Sequence, residues 1–103
     1  MDQEGSDQNF TATAAVEADR VVVTVGGEVD MATADVMFET STRDGKPAAT
    51  LDLRAVTVFD SAAIHALLRL AEHYGKRLTV LPSPQVRRVL EISGLSTQPW
   101  LSD

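Results

Sequence analysis

The sequence predicts a small single-domain α/β protein, with a mixed β-sheet of four to five strands and about three to four helices packed mainly on one face. Three observations carry that prediction. The chain has 103 residues, enough for one modest core, since domains run to roughly 100–200 residues. Hydrophobic residues make up 44% and charged residues 23%, ordinary globular proportions that exclude a collagen-like or fully disordered chain. The apolar pattern also switches between strand and helix periods along the chain, in the alternating order of a layered α/β domain. Residues 1–9 read as a flexible polar tail, 10–98 as the domain and 99–103 as a C-terminal tail.

From Phe10 onward, Phe10, Ala12, Ala14 and Val16 alternate with Thr11, Thr13 and Ala15, which is strand periodicity. Glu17-Ala18-Asp19-Arg20 is a short polar break. Val21, Val23 and Val25 then alternate with Val22 and Thr24 in a β-branched run. Two such runs across a short loop predict an antiparallel hairpin. Gly26-Gly27 ends the second strand in this reading, and Asp30 is placed to cap a helix. Val29, Thr33, Val36, Met37 and Thr40 share one face of that helix, which Arg43-Asp44-Gly45-Lys46-Pro47 closes with turn residues.

Ala49, Leu51 and Leu53 alternate with Thr50, Asp52 and Arg54 as a third strand, and Val56-Thr57-Val58-Phe59 leads to Asp60. The period then changes. Ile64, Leu67, Leu68 and Ala71 recur at helical spacing, while His65, Arg69, Glu72 and Lys76 fall elsewhere, so an amphipathic helix runs from the pair Asp60-Ser61 to Gly75. Leu78-Thr79-Val80-Leu81 is the fourth strand, and strand, helix and strand make a right-handed parallel βαβ unit. Ser83 caps the last helix with Pro84 at its first position. Val86, Val89, Leu90 and Ser93 form its inner face, and Gly94 ends it. Trp100, the single tryptophan, lies in the tail, either folded onto the body or loose.

Several function classes fall away on composition. With no cysteine there is no disulfide, Cys-ligated metal site or thiol nucleophile. The net charge is -6, so there is no general attraction to nucleic acid. Residues 1–51 hold ten acidic and three basic side chains, and residues 52–103 five and six, so the acidic half suits a basic protein partner. The polar, acidic start is unlike a signal peptide. No run approaches the roughly 18–20 apolar residues of a membrane span. A cytoplasmic protein without direct membrane insertion is expected. The chain lacks a phosphate-cradling glycine loop and a nucleophile elbow. His65 and His73 lie two turns apart on one helix, too far to share a metal. No cofactor, metal or catalytic residue is expected, and the chain reads as a non-enzyme.

Ser61 stands out because it falls at a strand-to-helix junction, where free N–H groups and the helix dipole favour negative charge. A phosphoryl group there would carry roughly -1.5 to -2 charge and could block a docking surface without unfolding the domain. Read from the residues alone, Ser61 is first of all a helix cap, while Asp30 is equally a cap and Glu28 equally a solvated turn residue.

The stretch Leu51-Asp52-Leu53-Arg54-Ala55-Val56-Thr57-Val58-Phe59-Asp60-Ser61-Ala62-Ala63-Ile64 resembles the signature of STAS domains, the anti-sigma-factor antagonist modules. Three further segments agree with that family in order and spacing: Gly27-Glu28-Val29-Asp30, Gly75-Lys76-Arg77-Leu78-Thr79-Val80, and Ser83 through Leu95. The resemblance covers residues 10–98. It implies a bacterial regulatory protein that, when unphosphorylated, binds an anti-sigma factor that is itself a serine protein kinase, and so releases a sigma factor. It implies Ser61 as phosphoacceptor, a serine phosphatase that resets the switch, and a partner-binding surface of Glu28, Asp30, Asp60, Ser61, Ala62 and Ala63.

Two features depart from the commonest pattern. Ala63 stands where the family often has glycine, and its methyl is expected to tighten or obstruct close backbone approach by a partner. The form Asp60-Ser61-Ala62-Ala63 also resembles a second branch of the family. Its members are subunits of lipid-transport ABC complexes, which bind their ATPase constitutively.

Overall fold

Four strands and three α-helices alternate along residues 9–102, the part of the chain that the computed structural model describes. The expected N-terminal tail lies outside the described residues except for Asn9, and so does residue 103 of the expected C-terminal tail. In order, the elements are β1 (Phe10–Glu17), β2 (Arg20–Val29), α1 (Ala34–Thr42), β3 (Ala48–Phe59), α2 (Ser61–Tyr74), β4 (Leu78–Pro82) and α3 (Pro84–Ile92). The sheet order is β1-β2-β3-β4. β1 pairs antiparallel with β2 as the predicted hairpin, and β3 pairs parallel with β4 as the predicted βαβ unit. β2 and β3 are also parallel, with α1 as their crossover.

One face of the sheet carries Phe10, Ala12, Val21, Val23, Val25, Ala49, Leu51, Leu53 and Val80, all at most 3% exposed. These residues form one cluster with Met37 of α1, Leu67 and Leu70 of α2, and Val86 and Leu90 of α3. Each fully buried leucine or methionine stabilises the fold by roughly 1.5–3 kcal/mol through area removed from water. The other face is polar: Thr11, Thr13 and Thr24 are exposed, and Thr50, Asp52 and Thr79 are half-buried. There Arg54 grips Asp52 through two contacts of 3.0 and 2.9 Å. That hydrogen bonding holds the Asp52 carboxyl below the usual carboxylate range.

The local chemistry departs from the sequence reading in several places. The hairpin turn is only Ala18-Asp19, because Glu17 and Arg20 already pair. β2 does not end at Gly26-Gly27 but runs on to Val29, paired with Phe59. Gly27 is needed inside the strand, and Gly26 sits where space is tight. A Cβ on Gly27, whose φ is +85°, would sit 2.0 Å from the Asn9 carbonyl oxygen, and one on Gly26 would lie 3.2 Å from Thr11 Oγ1.

β3 is a single strand of 12 residues. Its register against β2 shifts twice, between Thr24 and Gly26 and between Gly27 and Glu28. Each shift places one extra residue on β3, so its inward residues change from alternation to Leu53, Val56 and Phe59.

The helices differ in phase. α1 begins after Thr33, not Asp30. The inner stripe of α2 is Ala63, Ala66, Leu67, Leu70 and Tyr74. Its two alanines let the helix lie close to the sheet, whereas Ile64 and Ala71 are half-buried and Leu68 is 37% exposed. In α3, Val86 and Leu90 are buried, but Ser93 is the exposed C-cap and Val89 is half-buried. Ser83 is buried as expected. Its hydroxyl accepts from the Val86 N–H at 3.1 Å and donates to the Val56 carbonyl at 2.7 Å, tying α3 to β3. Trp100 folds onto the body at 6% exposure. Val80 N–H donates to its carbonyl at 2.8 Å, and Ser102 N–H donates to the Val80 carbonyl at 2.9 Å, so the C-terminal segment runs along the β4 edge.

Candidate functional site

The neighbouring strands β2 and β3 end side by side, with Val29 opposite Phe59. The residues that follow them, Asp30 and Asp60, therefore meet at one end of the sheet. The Asp60 N–H donates to the Val29 carbonyl at 3.2 Å, which ties the start of α2 to the end of β2. Asp60 is the N-cap of α2, with extended backbone angles, and its Oδ1 accepts from the Ala63 N–H at 3.0 Å. Of the pair Asp60-Ser61, Asp60 thus does the capping.

Ser61 is the first residue of α2 and is exposed. Its side chain is free of the capping role and stands at the positive end of a 14-residue helix. The first N–H groups of any helix have no intrahelical acceptor, and of those in α2 the Ala63 N–H is taken by Asp60.

Asp30 shapes the segment alongside. Its carbonyl accepts from the N–H groups of Thr33 at 3.0 Å and Ala34 at 2.8 Å, and its Oδ1 accepts from Ala32 N–H at 3.0 Å. The nearly buried Thr33 hydroxyl lies 3.0 Å from the Glu28 carbonyl, 3.2 Å from Asp30 Oδ1 and 3.0 Å from the Asp30 N–H that donates to it. The turn from Glu28 to Thr33 is thereby fixed before α1 begins.

Asp30, Met31, Ala32 and Asp60 line one shallow depression, and Ser61 is the next residue along the chain after Asp60. Glu28 is not in that depression. It precedes inward-facing Val29, so it falls on the open sheet face, where it lines a separate hollow with Asn9, Thr11, Gly26 and Ala55. Ala62 is half-buried. Ala63 is fully buried, so its methyl packs into the core and presents nothing to a partner. The expected obstruction by Ala63 therefore does not arise. Its contribution to the site is the N–H held by Asp60.

One residue escaped the sequence reading. Met31 is 83% exposed on the fixed turn between Asp30 and Ala32, a large apolar side chain beside two carboxylates. Its signal in the sequence was its position, a lone apolar residue between a strand end and a helix start. The geometry offers an exposed hydroxyl, an acidic rim and an apolar projection. A hydroxyl so placed can accept a covalent group, and carboxylates beside an apolar side chain can contact another protein surface. Among the described residues, no group of three or more histidine, aspartate or glutamate side chains is placed to hold a metal. No helix among them is long and apolar enough to cross a membrane.

A domain of this architecture is of the STAS class. The family model described as "Mlab, STAS domain" matches residues 12–102, and the chain belongs to that family. Among solved structures it is similar to an anti-sigma factor antagonist from Mycobacterium paratuberculosis, at 30% identity and a TM-score of 0.76, over 89% of this chain and 84% of that one. It is also similar to the anti-sigma factor antagonist SpoIIAA in its unphosphorylated form, at 25% identity and a TM-score of 0.70, over 91% and 86% of the two chains. An antisigma-factor antagonist STAS domain from Rhodobacter sphaeroides shares the fold, at 13% identity and a TM-score of 0.53, over 91% and 98%. None of the curated proteins searched matches the chain.

Proposed function

We propose that this protein is an anti-sigma-factor antagonist whose binding is switched by phosphorylation of Ser61. In its unphosphorylated form it sequesters an anti-sigma factor that is also a serine kinase, and so releases a sigma factor. Transfer of a phosphoryl group to the Ser61 hydroxyl ends the complex, and a serine phosphatase restores it. The observation that carries the reading is the division of labour at the start of α2. Asp60 holds the cap, which leaves Ser61 exposed and chemically available.

The electrostatics favour a switch. The bare surface presents Asp30 and Asp60 to a basic partner. A phosphate at Ser61 adds roughly -1.5 to -2 charge within the same patch. The helix N-terminus stabilises that charge locally, so the fold persists while the docking surface changes in both bulk and charge. The similarity to two antagonist structures, one of them in an unphosphorylated form, supports the same role. To test it, the protein is incubated with ATP and lysate of its native host, and the phosphate is mapped by mass spectrometry. Modification at Ser61, lost in Ser61→Ala, is expected. Stoichiometric modification elsewhere with Ser61 untouched overturns the reading.

A second reading is supported by the form Asp60-Ser61-Ala62-Ala63 and by the description of the matching family model. In it the same surface holds the ATPase of a lipid-transport complex constitutively, whatever the charge at residue 61.

A further inference from the structure

A separate concavity lies far from Ser61. It is an open groove of about 570 Å³ between the outer side of α2 and the C-terminal segment, lined by Leu68, Ala71, Gly75, Lys76, Pro99 and Trp100, among others. Along a helix rising about 1.5 Å per residue, Gly75 stands roughly 20 Å from Ser61. The volume is that of a small-molecule site, which typically spans about 300–1,000 Å³.

Three observations indicate what it holds. First, its walls are preformed. The C-terminal segment is pinned by the two hydrogen bonds with Val80, and by Arg87 Nη2 donating to the Ser102 carbonyl at 2.7 Å. Second, the surface is apolar where the fold has no use for it, since Leu68 points away from the inner stripe of α2 and stays 37% exposed. Third, the side chains of its lining residues that have no partner are chiefly donors. The Trp100 indole N–H bonds to no group among the described residues, yet it is not sealed from solvent, because no buried side-chain nitrogen or oxygen lacks a partner. The Lys76 ammonium has no acidic partner among them either. Arg69 is turned toward α1, 3.8 Å from Asp35 and 4.0 Å from the Phe38 ring centre. The Gln98 amide can donate or accept, and Glu72 is the one carboxylate on the rim.

We propose that this groove binds an apolar organic acid. The apolar body lies against Leu68, Ala71, Pro99 and Trp100, and the carboxylate is taken by the Lys76 ammonium and the Trp100 indole N–H. The proposal is independent of the switch at Ser61.

Because Trp100 is the only tryptophan, the single indole cross-peak of a ¹H–¹⁵N spectrum reports on the groove directly. The probe is decanoate, titrated below its micellar range, with decylammonium as the charge-reversed control. A saturable shift of that cross-peak with decanoate and little with decylammonium is expected. Lys76→Glu should weaken decanoate binding at least fivefold, Leu68→Asp should abolish it, and Glu72→Gln should tighten it. The variants' otherwise unchanged spectra would establish that they fold. No saturable shift, equal shifts with both amphiphiles, or indifference to Lys76→Glu overturns the proposal.

Discussion

Replacing Asp60 separates two roles that one carboxylate performs. Asp60→Ala removes the oxygen that accepts the Ala63 N–H at 3.0 Å and leaves the backbone bond from residue 60 to the Val29 carbonyl in place. Loss of such a cap costs about 1 kcal/mol, within roughly 0.5–2. That total includes the favourable effect of a negative charge on the helix dipole, roughly 0.3–1 kcal/mol. Asp60→Asn keeps an accepting oxygen and loses only the charge, so its cost is confined to the smaller part. For a domain of this size each kcal/mol moves Tm by roughly 4–8 °C. Urea denaturation with a common m-value, checked by thermal melts, resolves the two variants. Alanine should be clearly less stable than asparagine, which in turn lies close to the parent. If the two variants are equally destabilised, or if alanine changes nothing, Asp60 is not the cap that frees Ser61.

Gly27→Ala should destabilise by more than the roughly 1 kcal/mol of an unfavourable backbone angle, because the added Cβ would sit 2.0 Å from the Asn9 carbonyl oxygen. Hydrogen exchange should then show loss of protection concentrated at the Phe10 end of β1. The Asp52 carboxyl, held low chiefly by the Arg54 hydrogen bond, contributes stability that is present above its unfolded value, about pH 4. That contribution is lost as pH falls through the lower folded value. Urea midpoints measured down through that window should fall less steeply for Asp52→Asn than for the parent.

Much of this architecture was legible because period and punctuation agreed. The valines of β2, the Leu51 and Leu53 of β3 and the paired Ser83-Pro84 start of α3 each follow from a local rule, and the hairpin and parallel crossover follow from their order. The misreadings have physical causes. Gly26-Gly27 looks like a strand end, because a glycine that admits a close backbone neighbour is indistinguishable in sequence from one that ends a strand. Asp30 is a good cap in isolation, but the Thr33 hydroxyl and the Asp30 carbonyl build an extra turn before α1. The i, i+3, i+4, i+7 spacing of Ile64, Leu67, Leu68 and Ala71 points to a stripe about one residue out of phase with the buried one. Ala63 and Ala66 instead face the sheet because small side chains allow closer approach, and this turns Leu68 outward.

The site was legible in part. Asp60, Ser61 and Asp30 do converge, since the ends of neighbouring parallel strands lie together. The alternation of side chains along β2 sends Glu28 to the other face, and helical phase sends Ala63 into the core. Met31 carries no periodic signal because it stands on a turn fixed by local hydrogen bonds, outside any strand or helix, and the Trp100 groove carries none because it depends on contacts between segments distant in the chain.

The most direct test of the central claim is a paired capture from lysate of the native host, with Ser61→Ala and Ser61→Asp as baits and mass spectrometry as the readout. The account predicts a kinase-like ATP-binding protein held by the alanine bait and lost with the aspartate bait, while the aspartate bait melts no lower than the alanine bait, since a negative charge is favoured at the start of α2. Equal capture of one partner by both baits would contradict it, and would make the surface around Ser61 a constitutive docking site.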